Sequence, residues 1–409
     1  MKNLKEAFLL HKKEMITAAM FLIVVFVMLF GLIASWKDVG RTFLAGYRST
    51  VPPQSPVVER VVGAIASLEN AVNEDTFQRH NFIELFGLTQ KTMGKNIVSD
   101  SGYGALYKTS KAQITYAVMK KDVSNELEQI RTLKSQLDEI GIPLLYIQAP
   151  FKLPEKGNQL PPTVKDYANE NADDFLAGLA ASDIDYLDLR QVFWSSDLDQ
   201  NQLFFNTDHH WTIDGAFLSM GTIVDKLNND YQFHIDDRIT NIENYNRTTY
   251  EDFYIGSMGR RVGKLYGGVD DFTLITPDFD TSYTLYERDY GGEKVYEGSF
   301  EEAVLTKDYI DQEAPLDTNR YAVYHGDNAE LEFINHNVNS GKIMMIKDSF
   351  GLPVYSFLSL GVQELRALDV RLYKESVFEY AKKYRPEVVI ILYNADCFGS
   401  TMFDFEAKN

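Results

Sequence analysis

Lys342-Ile-Met-Met-Ile-Lys-Asp-Ser-Phe-Gly351 is a short apolar run that stops on a Lys-Asp-Ser triplet. Lys342 to Ile346 is too short for a helix and has the side chains of a buried strand. Residues 351–360, directly behind it, read as a helix. Moving outward, the same alternation recurs. Glu364 to Val370 reads as a strand, Lys374 to Tyr384 as a helix, and Glu387 to Tyr393 as a last strand. Upstream, Val123, Leu127, Ile130, Leu133, Leu137 and Ile140 form one stripe of a helix over 122–140, and Gly141 ends it. Pro143 to Gln148 follows as a strand, then a helix over 163–181 and a strand from Ile184 to Leu189. Strands that alternate with helices predict a mostly parallel sheet covered on both faces. Residues 231–320 break this rhythm. They read as an insertion at the functional edge of the sheet, either shaping a substrate cleft or elaborating the structure. Residues 57–118 give few clear signals.

Open parallel sheets hold their sites at the carboxyl ends of strands, which is where Ser349 falls. A serine there projects its hydroxyl, and unpaired backbone N–H groups, those of Ser349 and Gly351 as candidates, can hold an oxyanion. The competing reading of Ser349 is a helix cap. A hydroxyl becomes a useful nucleophile only when a base takes its proton.

The base is offered by Phe204-Phe-Asn-Thr-Asp-His-His-Trp-Thr-Ile-Asp-Gly-Ala-Phe217, in a chain with seven histidines. Ile213, Phe217, Met220, Val224 and Leu227 form a helical stripe with Thr212 as N-cap, so Asp208-His209-His210-Trp211 lies on the loop before a helix. In an extended stretch, Asp208 and His210 share one side and His209 takes the other. A carboxylate on His Nδ1 fixes the tautomer and frees Nε2 as a base. The alternative is a structural turn holding a buried histidine. With an unperturbed imidazole, activity is expected to fall as pH drops through about 6 to 7.

The N-terminal part carries a 21-residue uncharged stretch, Met15 to Ser35, long enough to span a bilayer. Lys2, Lys5, Lys12 and Lys13 precede it, favouring a cytoplasmic N-terminus. Its apolar length and poor cleavage pattern favour an uncleaved anchor over a signal peptide. The expected organisation is a tail over 1–14, an anchor over 15–35, a stalk over 36–76 with a Pro-rich spacer at 50–56, and a catalytic domain over 77–409. The net charge of −19 argues against a nucleic-acid partner. Cys397 is the only cysteine, so no intramolecular disulfide or cysteine metal cluster forms.

Asp208-His-His-Trp211, Lys347-Asp-Ser-Phe-Gly351 and Val370-Arg-Leu-Tyr373 together resemble the DHHW-type protein family of bacteria. That family resembles the SGNH-hydrolase-like domains of alginate O-acetylation proteins. The resemblance runs from about Phe77 to the C-terminus. It implies an SGNH-like α/β/α sandwich preceded by one transmembrane helix, and a Ser349–His210–Asp208 triad whose Asp-x-His pair precedes the serine. It favours acyl transfer onto a cell-surface polysaccharide or teichoic-acid-like polymer outside the membrane. A polytopic membrane acyltransferase would be the partner that supplies the acyl group, and no cofactor is needed. Hydrolysis by the same acyl-serine route, giving an acetyl esterase, is the alternative. No Gly-x-Asn-Asp block is present to supply an oxyanion Asn, so Asn394 is either its replacement or a turn cap. Arg371 is either a substrate contact or half of a salt bridge, Trp211 either a wall of the site or core, and Asp348 either a tuning group or a cap. His325-Gly-Asp-Asn328 is a polar loop without an assigned place.

Two rival classes remain. Asp-His-His also occurs in metal-dependent phosphoesterases, but those need further ligands, and the chain has no second adjacent His pair. The other rival is a non-catalytic envelope-binding protein on the same fold.

Overall fold

The computed structural model describes residues 12–51, 55–75, 77–157 and 159–407. Lys2, Lys5 and the Pro52-Pro-Gln54 part of the expected spacer lie outside the described residues. The chain divides into two compact units, Met1–Phe86 and Gly87–Asn409.

The first unit contains helices α1 (Lys12–Ala34), α2 (Trp36–Thr50) and α3 (Val57–Asp75). Among the described residues, α1 is the one helix long and apolar enough to cross a membrane, over Lys12–Gly31. The segment expected as a stalk is thus largely helical, and α2 packs on α3. Helix α4 (Arg79–Thr92) crosses the division.

The second unit opens with a small antiparallel sheet of β1 (Ile97–Asp100), β2 (Gly104–Lys108) and β3 (Ile114–Thr115). The expected alternation follows, as α5 (Ser124–Glu139), β4 (Leu144–Ala149), α6 (Ala168–Ala180), β5 (Asp185–Asp188) and α7 (Ile213–Asp230). Then come β6 (Tyr245–Tyr254), β7 (Asp270–Pro277), β8 (Tyr283–Asp289), β9 (Gly292–Gly298) and β10 (Glu330–Asn335). The chain closes with β11 (Lys342–Lys347), α8 (Gly351–Leu358), β12 (Glu364–Leu368), α9 (Val377–Tyr384) and β13 (Val388–Asn394).

The central sheet has eight strands in the order β5-β4-β13-β11-β12-β10-β8-β9. The first five are parallel and the last three antiparallel. Strand periodicity feeds two cores. On β11, Ile343 and Met345 join the layer under α7 and α8, while Met344 and Ile346 join the layer under α5, α6 and α9. Each such side chain buried from water contributes about 1.5–3 kcal/mol. This is the SGNH-like α/β sandwich, with a mostly parallel sheet.

The 231–320 segment contributes strands to two sheets. β6 and β7 form a separate pair, but β8 and β9 extend the central sheet. Their register is set by β10, which has a charged residue on alternate positions (Glu330, Glu332) and gave no continuous apolar signal.

Candidate active site

Ser349 sits two residues beyond the end of β11, in the turn that enters α8, and is partly exposed. Asp348 builds this turn. Its Oδ1 accepts from the Phe350 N–H at 2.9 Å and its Oδ2 from the Asn394 N–H at 2.7 Å, so the cap reading holds. Burial pushes its carboxyl up to about 6, against those hydrogen bonds and the pull of Arg371. Gly351 is needed because a Cβ there would lie 2.7 Å from the Lys347 Cβ.

The loop before α7 is closed by the Phe204–Trp211 bridge and capped by Thr212, whose Oγ1 accepts from the Gly215 N–H at 3.1 Å. Asp208 curls the loop tip by accepting from the backbone N–H groups of His209 at 2.6 Å and His210 at 3.3 Å. The extended geometry expected there is therefore absent. Both imidazoles converge on one side, with ring centroids 3.8 Å apart, and His209 Nδ1 lies 3.0 Å from Asp208 Oδ1.

His210 and Ser349, separated by 139 positions, meet at 2.6 Å between Nε2 and Oγ. His210 Nδ1 lies 3.0 Å from Asp208 Oδ1. The three groups form one hydrogen-bonded line, with Asp208 and His210 buried and the serine at its open end. Burial opposes a charge on Asp208, but His210, His209 and their hydrogen bonds outweigh it and hold the carboxyl well below its usual range. Ser257 N–H (3.2 Å) and the Tyr254 hydroxyl donate to its other oxygen. Burial, helped by His209, pushes the His210 imidazole down to about 4, although Asp208 pulls the other way. The ring is therefore neutral well below pH 6, in place of the unperturbed value expected from the sequence.

Several residues that support this line carried no motif. Lys152 is buried and donates to the carbonyls of Ile114 (2.6 Å), Asn206 (2.9 Å) and Asp208 (2.8 Å). Burial pushes it down to about 7, opposed by Asp270 and Asp208. Asp270 grips the loop from its N–H side, accepting from Asn206 N and Thr207 N at 2.7 Å each. A lysine directly behind the buried run of β4 was the one signal available. Tyr321 stacks on His210 at 4.1 Å and 11°. Gly256 lets the segment after β6 approach the loop, since a Cβ there would sit 2.3 Å from the Asp208 Cβ.

The four substrate-side candidates are all engaged elsewhere. The Gly351 N–H donates to the Asp348 carbonyl at 3.0 Å. Asn394 is a turn cap, donating to the Pro150 carbonyl at 2.7 Å and accepting from the Asp396 N–H at 3.1 Å. Arg371 pairs with Asp369 and Asp327, and Lys347 with the same two carboxylates. Asp327 brings the His325–Asn328 loop behind the serine strand. Trp211 is fully buried, donating to the Tyr321 hydroxyl at 2.9 Å. The Ser349 N–H has no hydrogen-bond partner among the described residues, so it is free to donate to a bound group.

Asp208, His209 and His210 bring possible ligand atoms within 4.8 Å of one another. Both His210 nitrogens already face Asp208 and Ser349, so this set suits proton transfer better than metal binding.

Residues 106–243, which include Asp208 and His210, match the SGNH hydrolase-like domain of the acetyltransferase AlgX. No curated protein matches the chain. Among solved structures, Bacillus cereus PatB1 with a sulfonyl adduct superposes with a TM-score of 0.61 at 22% identity, covering 76% of this chain and 100% of that one. A second PatB1 structure gives 0.61 at 24% identity, over 76% and 99%. A DHHW family protein from Eubacterium siraeum gives 0.59 at 16% identity, over 77% and 99%. Identities this low speak for the fold. The chain thus has an SGNH-like α/β fold, carries a match to the AlgX-type SGNH domain, and resembles the DHHW-type proteins in structure as well as in motif.

Proposed function

We propose that this chain is a membrane-anchored serine O-acetyltransferase acting outside the cell membrane on a cell-surface polysaccharide or teichoic-acid-like polymer. The observation that carries the reading is the unbroken line from Asp208 through His210 to Ser349 Oγ. His210 Nε2 takes the hydroxyl proton as Ser349 Oγ attacks the acyl carbon of a donor ester. The Ser349 N–H meets the oxyanion, the donor alcohol leaves with the proton, and acyl-Ser349 remains. An acceptor hydroxyl then repeats the sequence in reverse.

The AlgX match supports acetyl transfer over other ester chemistry. Helix α1 supports anchoring; in this reading the N-terminus lies in the cytoplasm and a polytopic membrane acyltransferase supplies the acyl group. Intact-mass analysis of the full chain in detergent with a fluorophosphonate tests the site. One adduct on the parent protein, missing in Ser349→Ala and slow in His210→Ala, is expected. A folded parent that takes no adduct would overturn the reading in favour of a binding protein.

A further inference from the structure

His209 stands beside the triad and is used by neither the acylation chemistry nor the core. Its side chain is 25% exposed, whereas its neighbour His210 is buried. Its Nδ1 lies 2.9 Å from Ser257 Oγ and 3.0 Å from Asp208 Oδ1. A carboxylate only accepts, so Nδ1 carries the proton. The serine gives the same answer. Ser257 Oγ accepts from the Tyr103 hydroxyl at 3.1 Å and donates to Asp208 Oδ1 at 3.2 Å, leaving one lone pair for an N–H. Nε2 of the uncharged ring is then a bare acceptor. It has no hydrogen bond among the described residues, and it is not among the buried atoms that lack one, so solvent reaches it.

We propose that His209 Nε2 holds a second hydroxyl of the acyl acceptor, next to the one that attacks, so that the site selects vicinal diols, as on sugars, over simple alcohols. The inference rests on the acyl-serine reading above. In the transfer step the attacking hydroxyl oxygen bonds to the acyl carbon and its proton passes to His210 Nε2. The bond from that carbon to Ser349 Oγ then breaks, and Oγ takes the proton back. His210 has one free lone pair, which the attacking hydroxyl occupies. A neighbouring hydroxyl needs a separate acceptor, and the His209 ring is 3.8 Å away, centroid to centroid. A simple alcohol has no second hydroxyl to offer. Aromatic groups flank this side as well. Tyr103 packs on Tyr116 at 4.8 Å, and the Tyr116 hydroxyl donates to Asp396 at 2.8 Å.

The test uses the full chain in detergent at about pH 8, above the ordinary range of imidazole titration. Para-nitrophenyl acetate is the donor, and ethylene glycol and ethanol compete at equal concentration. The ratio of glycol monoacetate to ethyl acetate is internal to each sample, so neither the acylation rate nor the folded fraction enters it. The parent should favour glycol. His209→Ala and His209→Asn should lose about tenfold of that preference, the scale of one neutral hydrogen bond. His209→Gln, whose amide oxygen reaches the Nε2 position, should keep most of it. A parent without preference, or a His209→Ala ratio within about twofold of the parent, would overturn the inference. Absence of any Ser349-dependent release of para-nitrophenolate would overturn the acyl-serine reading, and this inference with it.

Discussion

Lowering the pH should leave acylation of Ser349 almost untouched until well below 6. With the His210 imidazole near 4, about 90% of it is still neutral at pH 5, whereas an ordinary imidazole near 6.5 would be about 3% neutral. The rate at pH 5 should therefore stay near nine tenths of its plateau rather than fall about thirtyfold. The same shift makes folding sensitive to acid. The folded value lies below the unfolded one, so the unfolded chain binds the extra proton between about 4 and 6.5, and stability falls as pH drops through that window, by roughly 2 kcal/mol at pH 5. The assay is the rate of fluorophosphonate adduct formation from about pH 4.5 to 8, with circular dichroism confirming the fold at each point. Asp348, near 6, titrates inside this range. An inflection near 6 that disappears in Asp348→Asn belongs to the serine turn. A midpoint between about 6 and 7 in both proteins would refute the argument that burial controls His210.

Gly256→Ala should push Asp208 off His210, because the new Cβ would lie 2.6 Å from Asp208 Oδ2. Acylation should fall at least about a hundredfold, read by adduct rate, and a rate near the parent's would show that the loop yields. Lys152→Met removes the three donated hydrogen bonds that hold the Asp208 loop. Urea unfolding should show a loss of about 3–5 kcal/mol, and a loss under about 1 kcal/mol would mean the clamp carries little. A chelator should leave adduct formation and turnover unchanged. Chelator-sensitive turnover that survives Ser349→Ala would instead favour a metal-dependent phosphoesterase.

The parallel half of the fold was legible because its strands are buried on both faces and read as unbroken apolar runs, as in Lys342–Ile346 and Val388–Tyr393. The antiparallel half was not. β8, β9 and β10 carry charged or polar residues, among them Arg288, Glu293 and Glu332, on one face and pair through the backbone, which leaves no apolar run to read. In the same way Asp208, His210 and Ser349 were named by local chemistry alone: a carboxylate two residues from a histidine, and a serine at a strand end.

Their meeting was decided elsewhere. Closing 139 positions to 2.6 Å takes the β11–α8 turn, the capped start of α7, and the Lys152 and Asp270 grip between them. The fates of Asn394, Gly351 and Arg371 were likewise tertiary, since each could serve the site until its hydrogen bonds were assigned. So was the side on which His209 lies. The sequence by itself determined which residue types were available and which layers they would build, because period and burial are local properties. Tertiary structure alone decided the loop curl, the proton positions and the low affinity of His210 for a proton, because desolvation and hydrogen bonding depend on what packs against a group rather than on what precedes it in the chain.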